Sequence, residues 1–260
     1  MKLCVIGNSH AAMILSAHKS QPDMCQLTVF ARPSMEDGDI VLEGTILRPN
    51  SAEFAERLAE LGTPAVVDLR DFDAIVFTGM TASMFTASQF LQAHMIYGWP
   101  ATQSILEQSG PAARQVLSLS AYQVALAAIV AQSQTGRLCA LLAKQDIAPV
   151  FVIPQPYPSV RVLSLKGKSP ILKRLQRDEE GTLVAAELER MHHHIFDPMP
   201  GIEYLPQPEE TIEHGFLTRS GYNRNAVRLN VDMRQSRNDI LHTNAAYGKL
   251  YLDKILSAIN

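Results

Sequence analysis

Hydrophobic and polar positions along the chain fall into two alternating patterns. Short continuous apolar runs occur at KLCVIG (2–7), QLTVFA (26–31), AIVFTG (74–79) and APVFVIP (148–154), with GIEYL (201–205) as a weaker fifth. Continuous runs, as opposed to strict alternation, predict strands buried on both faces of a parallel sheet. Between them, apolar residues recur at helical spacing. A short helix is predicted over about 10–20. A second spans NSAEFAERLAELG (50–62), with Asn50 as N-cap, Glu53 three residues on, Phe54, Leu58 and Leu61 on one face and Gly62 as the stop. A long insertion at about 82–147 carries two or three more helical patterns, interrupted at Gly98-Trp99-Pro100 and Gly110-Pro111. It is expected to cover one sheet face and cap a pocket. The charged stretch at about 166–195, broken at Gly181, predicts a solvated helical excursion, and a proline-rich segment follows. The C-terminal NAAYGKLYLDKILSAI sets Tyr247, Leu250, Tyr251, Ile255 and Leu256 on one stripe of a last helix. The predicted class is α/β, one domain over 1–260.

Composition narrows the partners. The 260 residues are 47% hydrophobic and 19% charged, enough to bury a large core. The formal charge of -3 supplies no broad attraction for a polyanion, so nucleic acid is not the expected partner. Cys4, Cys25 and Cys139 are odd in number and lack metal-ligand spacing. Polar Asn8, Ser9 and His10 interrupt the N-terminal apolar run too early for a secretory leader, and a cytoplasmic protein is expected. The stretch Val116–Gln132 holds two serines and two glutamines and is shorter than the roughly 20 apolar residues a membrane span needs. It reads as a buried helix, with no membrane partner.

Chemistry enters at GNSH (7–10), directly after the first strand. Ser9 there is either a helix cap or a nucleophile, because free N–H groups and the positive end of the helix dipole favour developing negative charge at that position. A serine hydroxyl needs a base, and the base needs a carboxylate to hold its tautomer. Just before the last helix, DILH (239–242) offers Asp239 and His242 three residues apart.

Together, Gly7-Asn8-Ser9 and Asp239-Ile240-Leu241-His242 resemble the first and last blocks of the SGNH or GDSL-like serine esterases. The resemblance implies a three-layer α/β/α sandwich with a central, mostly parallel, flavodoxin-like sheet. It implies Ser9 as nucleophile, His242 as general base and Asp239 as the residue orienting it, with no metal or organic cofactor. Gly44, in DIVLEGTILRPN, looks like the second-block glycine whose N–H binds the oxyanion alongside that of Ser9. In the third block the family usually shows Gly-x-Asn-Asp, and this chain has Gly79-Met80-Thr81. The asparagine is missing, and Thr81, Asn8 or Asn244 is the candidate replacement. Gly79, Asn244 and His10 are expected beside the substrate.

The implied activity is hydrolysis of an O-acyl ester of a carbohydrate or small metabolite. An O-acyltransferase on the same residues and a non-catalytic glycan- or partner-binding protein remain as alternatives. A Rossmann nucleotide site fails, because GNSHAA lacks the three spaced glycines. Consecutive His192, His193 and His194 do not converge on a metal and read as a solvated helix end. Trp99 reads as a core anchor and, with Tyr97, as a possible sugar platform. Arg224, Arg228, Arg234 and Arg237 form either exposed loop charges or a basic rim.

Overall fold

The computed structural model describes residues 1–107, 114–229 and 233–259. The expected break at Gly110-Pro111 lies outside them. Among the described residues the strands, in chain order, are β1 (Lys2–Gly7), β2 (Gln26–Ala31), β3 (Ile40–Glu43), β4 (Ile46–Pro49), β5 (Val67–Asp68), β6 (Ala74–Thr78), β7 (His94–Ile96), β8 (Gln115–Leu117), β9 (Val150–Ile153), β10 (Ile202–Tyr204), β11 (Ile212–Glu213) and β12 (Leu217–Thr218). The helices are α1 (Ala11–Ser20), α2 (Ala52–Glu60), α3 (Met84–Ala93), α4 (Pro100–Glu107), α5 (Leu119–Gln132), α6 (Gln134–Leu142), α7 (Pro170–Arg177), α8 (Gly181–Phe196) and α9 (Ala245–Ala258).

Five strands form the central sheet in the order β10-β9-β6-β1-β2, every pairing parallel. This is the predicted three-layer α/β/α arrangement. Alternate residues of each strand face opposite layers. Leu3, Val5, Val29 and Val76 pack under α1 and α9, while Cys4, Ile6, Phe30, Ile75 and Phe77 pack under α2, α3, α5 and α8 on the other face. The chain runs from β1 to β2 on one side and returns to β6 on the other side of β1. Strand order therefore reverses at the C-terminal ends of β1 and β6, where connecting loops diverge and leave a crevice.

Several elements differ from the sequence expectation. The N-cap of α2 is Ser51, whose side chain accepts the Phe54 N–H, and not Asn50. DIVLEGTILRPN folds as the antiparallel β3–β4 hairpin, with Glu43 opposite Ile46 and Gly44-Thr45 as its turn. Among its described residues the insertion holds four helices, α3 to α6. The 166–195 segment is not a solvated excursion: α8 buries Val184, Ala185, Leu188, Met191, His192 and Phe196 in the core. Among the described residues no single helix is long and apolar enough to cross a membrane.

Two glycines set how the layers meet at the site. A Cβ on Gly7 would lie 2.6 Å from the Thr78 carbonyl oxygen, so the ends of β1 and β6 close together only because it is absent. A Cβ on Gly248 of α9 would lie 2.5 Å from the Met13 carbonyl carbon and closer still to its oxygen. The helices that follow Ser9 and His242 thus cross backbone against side-chain-free backbone.

Candidate active site

The turn after β1 is tied down from within. Asn8 donates through Nδ2 to the Gly79 carbonyl at 2.7 Å and accepts the His10 N–H through Oδ1 at 3.0 Å. The α1 N-cap is His10, and no side chain caps that helix. Ser9 is therefore not a cap. Its Oγ lies 2.9 Å from Nε2 of His242, from the far end of the chain.

The other side of the His242 ring meets Asp239: Nδ1 lies 3.1 Å from Oδ1. The Asp-x-x-His spacing works as a closed turn, because Asp239 Oδ2 also accepts the His242 N–H at 3.0 Å and Oδ1 accepts that of Leu241 at 3.4 Å. Burial pushes the Asp239 carboxyl up, but the His242 ring and these two N–H groups outweigh it and hold it below the usual carboxylate range. An ionised Asp239 requires the proton on Nδ1, which leaves Nε2 to accept from Ser9. The loop is fixed from outside as well. Asn223 Nδ2 donates to the His242 carbonyl at 2.9 Å, the Ser159 N–H reaches the Ile240 carbonyl at 2.8 Å, and Thr243 Oγ1 contacts Met13 Sδ at 3.2 Å.

A cleft of about 440 Å³ opens at the β1–β6 switch beside Asn8 and Gly79, lined further by Thr81, Thr86, Gln132 and Ser133. The Arg137–Asp37 ion pair stands at its wall. The insertion thus contributes the α5–α6 junction to the cleft.

The structure distributes the remaining candidates unevenly. Gly44 is not brought to the site: it occupies the turn of the β3–β4 hairpin, at the opposite end from Asp37, which lines the cleft. Asn244 serves as the α9 N-cap, accepting the Tyr247 N–H at 3.3 Å and donating to the carbonyls of Gly221 and Arg224. It has no amide hydrogen directed at Ser9. Asn8 directs one amide hydrogen at the Gly79 carbonyl. Thr81 lines the cleft, and its Oγ1 lies 3.1 Å from Nε2 of His192. His192 is buried in the α8 face, stacked on Tyr204, and burial drives its pKa down to about 3. It is a neutral core imidazole, not a solvated helix end, while His193 pairs with Asp197 at the surface. No group of metal-binding side chains occurs among the described residues.

Gly79 has φ +74°, and a Cβ there would meet Asn8 Oδ1 at 2.5 Å and His10 Cβ and Cδ2 at 2.9 Å. Its role is to make room for those two side chains. Trp99 is 6% exposed and packs edge-on to Tyr122, whereas Tyr97 is 69% exposed. Arg228 N–H bonds the Met233 carbonyl, and the Arg237 carbonyl accepts from Arg161. Sequence reading missed Asn223 and Gly248 and placed His192 at a solvated helix end. Only Gly248 carried a signal: glycine inside a helix costs about 1 kcal/mol relative to alanine, so its presence marks a close approach.

No protein-family model matches the chain, and no curated protein matches it. Among solved structures, a carbohydrate acetylesterase family member from Sinorhizobium meliloti is similar at 10% identity and TM-score 0.38, covering 100% of this chain and 99% of that one. A carbohydrate esterase family 2 enzyme plus carbohydrate-binding domain from Corynascus thermopiles (Myceliophthora fergusii) is similar at 10% identity and TM-score 0.32, and the alignment covers 99% of this chain and 65% of that one.

Proposed function

We propose that the chain is a serine hydrolase that cleaves an O-acyl ester of a carbohydrate or small metabolite through a Ser9 acyl-enzyme. One observation carries this reading: Ser9, His242 and Asp239 stand in an unbroken relay of 2.9 Å and 3.1 Å at the switch point of the sheet, beside an open cleft. A serine and an Asp-x-x-His turn more than 200 residues apart have no structural need to meet this way.

Ser9 Oγ attacks the ester carbonyl carbon while its proton passes to His242 Nε2. The resulting imidazolium is stabilised by Asp239 and returns the proton to the alkoxy oxygen as the carbon–oxygen bond breaks. Water then attacks the acyl-enzyme, giving its proton to His242, and the acid departs as Ser9 regains its own. The oxyanion between these steps is held by the Ser9 N–H, in the turn that opens α1, and by the Thr81 hydroxyl. Thr81 is the candidate taken because it lines the cleft, Asn244 donates both amide hydrogens at the α9 N-cap and Gly44 sits in the hairpin turn; its hydroxyl would turn from His192 to reach the oxyanion. The polar lining of Gln132, Ser133 and Thr86 suits a hydroxylated alcohol portion.

Active-site labelling with a fluorophosphonate tests the reading. Ser9 of the folded protein is expected to form the adduct and Ser9→Ala to abolish it. Folded protein that stays unlabelled beside a reacting control esterase sinks it.

A further inference from the structure

His10 is a buried titratable group that the steps above do not use. Its ring stacks on that of His242 with centroids 5.0 Å apart and planes inclined by 23°. It is locked on three sides. Its backbone N–H is bound by Asn8 Oδ1, its Cβ and Cδ2 fill the space left by the missing side chain of Gly79, and one ring face meets His242. Its Nδ1 is buried without a hydrogen-bond partner. Burial, then the neighbouring His242, lower its pKa to about 3, against an opposing pull from Asp239. Nδ1, without a partner in a neutral ring, relays no proton, and the contact the ring makes with His242 is through its flat face.

We propose that His10 is a positioning residue for His242: its ring is the wall that keeps the base in line with Ser9 on one side and Asp239 on the other. The inference rests on the serine-hydrolase reading. Without the wall, His242 keeps the turn that holds Asp239 but gains freedom to swing about χ1, away from Ser9. A displacement near 1 Å is enough to slow a positioned reaction by one to two orders of magnitude. A neutral ring also presents its π face to the imidazolium formed during attack.

The test is fluorophosphonate labelling of wild type, His10→Ala and His10→Phe, resolved into KI and the maximal inactivation rate, with the NMR signal of the His242 Nδ1 proton recorded in each. His10→Ala is expected to lower the maximal rate about tenfold at unchanged KI and to shift or broaden that signal. His10→Phe, which restores a flat ring without nitrogen, is expected to recover the rate to within about threefold. Equal rates for His10→Ala and wild type overturn the proposal, as do equal losses in the Ala and Phe variants. If His10→Ala does not fold, His10→Leu replaces it, and equal rates for Leu and Phe count against the wall. Wild type that fails to label removes the serine-hydrolase reading itself, a separate outcome.

Discussion

Substituting Gly248→Ala tests whether the helix crossing sets the distance between nucleophile and base. The added methyl would sit 2.5 Å from the Met13 carbonyl carbon and 3.0 Å from the Ile14 nitrogen, both backbone atoms that no rotamer change can move. Carbon–carbon contacts settle at about 3.5–4.0 Å, so α9 must back away from α1 by roughly 1 Å. Ser9 lies two residues before α1 and His242 three residues before α9, so the retreat carries the two side chains apart. The 2.9 Å hydrogen bond would stretch to about 4 Å, outside bonding range. Labelling by a fluorophosphonate should slow about 10²-fold. Overpacking of this kind costs about 1–3 kcal/mol, a drop in Tm of several degrees for a chain of this size. The measurement pairs labelling rate with thermal unfolding. Gly221→Ala serves as the control, since a Cβ there meets nothing within 4 Å and its φ is ordinary. Wild-type labelling and Tm in Gly248→Ala would refute the idea that this crossing fixes the site.

Three further outcomes are expected. Asp239→Asn keeps the loop's shape but favours the wrong tautomer of His242, and hydrolysis of an aryl acetate should fall on the order of 10³–10⁴-fold; a loss below tenfold would remove Asp239 from the relay. Thr81→Val removes one hydroxyl at constant volume and should slow the same hydrolysis about 10²–10³-fold with KM little changed, whereas an unaltered rate would place the second oxyanion donor elsewhere. Acid stability reports on the buried imidazoles: His192 ionises near its ordinary value of 6.5 when unfolded but only at about 3 when folded. The unfolded chain therefore binds the extra proton between those values, and stability falls as pH drops through that window by up to ~1.4 kcal/mol per pH unit per histidine. His192→Phe should flatten this slope between pH 6 and 4 in thermal unfolding, and slopes equal to wild type would contradict the buried neutral state.

The sheet was legible because buried parallel strands leave a local mark. β1 and β2 begin and end where the apolar runs do, since each run is flanked by polar or turn residues and both faces are covered. The hairpin at Ile40–Pro49 was not, because IVLE and ILRP are short, half-exposed at several positions and joined by Gly-Thr, a weak turn signal beside Asn-Gly or Asp-Gly. Misreading that segment misplaced Gly44, since a glycine at φ +61° in a hairpin turn and one approaching an oxyanion look alike as letters. The excursion at 166–195 misled for a related reason. Most of its charges sit on α7 and the turn before α8, and on α8 itself Glu187, Glu189 and Arg190 stay off the face that buries Val184, Leu188, Met191 and His192. Counting charge over the segment averages two faces that the helix separates.

The site divides along the same line between local and assembled features. Ser9 and the Asp239–His242 turn could be named from sequence, because each depends on a spacing of a few residues: a strand that stops at a small polar turn, and a carboxylate within reach of its own loop's N–H groups. What converts them into a relay is their meeting, and that depends on Gly7 letting β1 approach β6, on Gly248 letting α9 approach α1, and on Asn223 holding the His242 carbonyl. The same logic applies to His10, read from sequence as a packing or substrate-contact residue. Adjacent residues point in different directions, which removes His10 from direct attack on substrate; yet that divergence is what turns its ring back against His242 while Ser9 faces Nε2. Gly79, expected beside substrate, supplies the room for this arrangement by lacking a side chain. A residue next to a nucleophile thus contributes by bounding the base, a function that becomes visible only when the far end of the chain has folded over it.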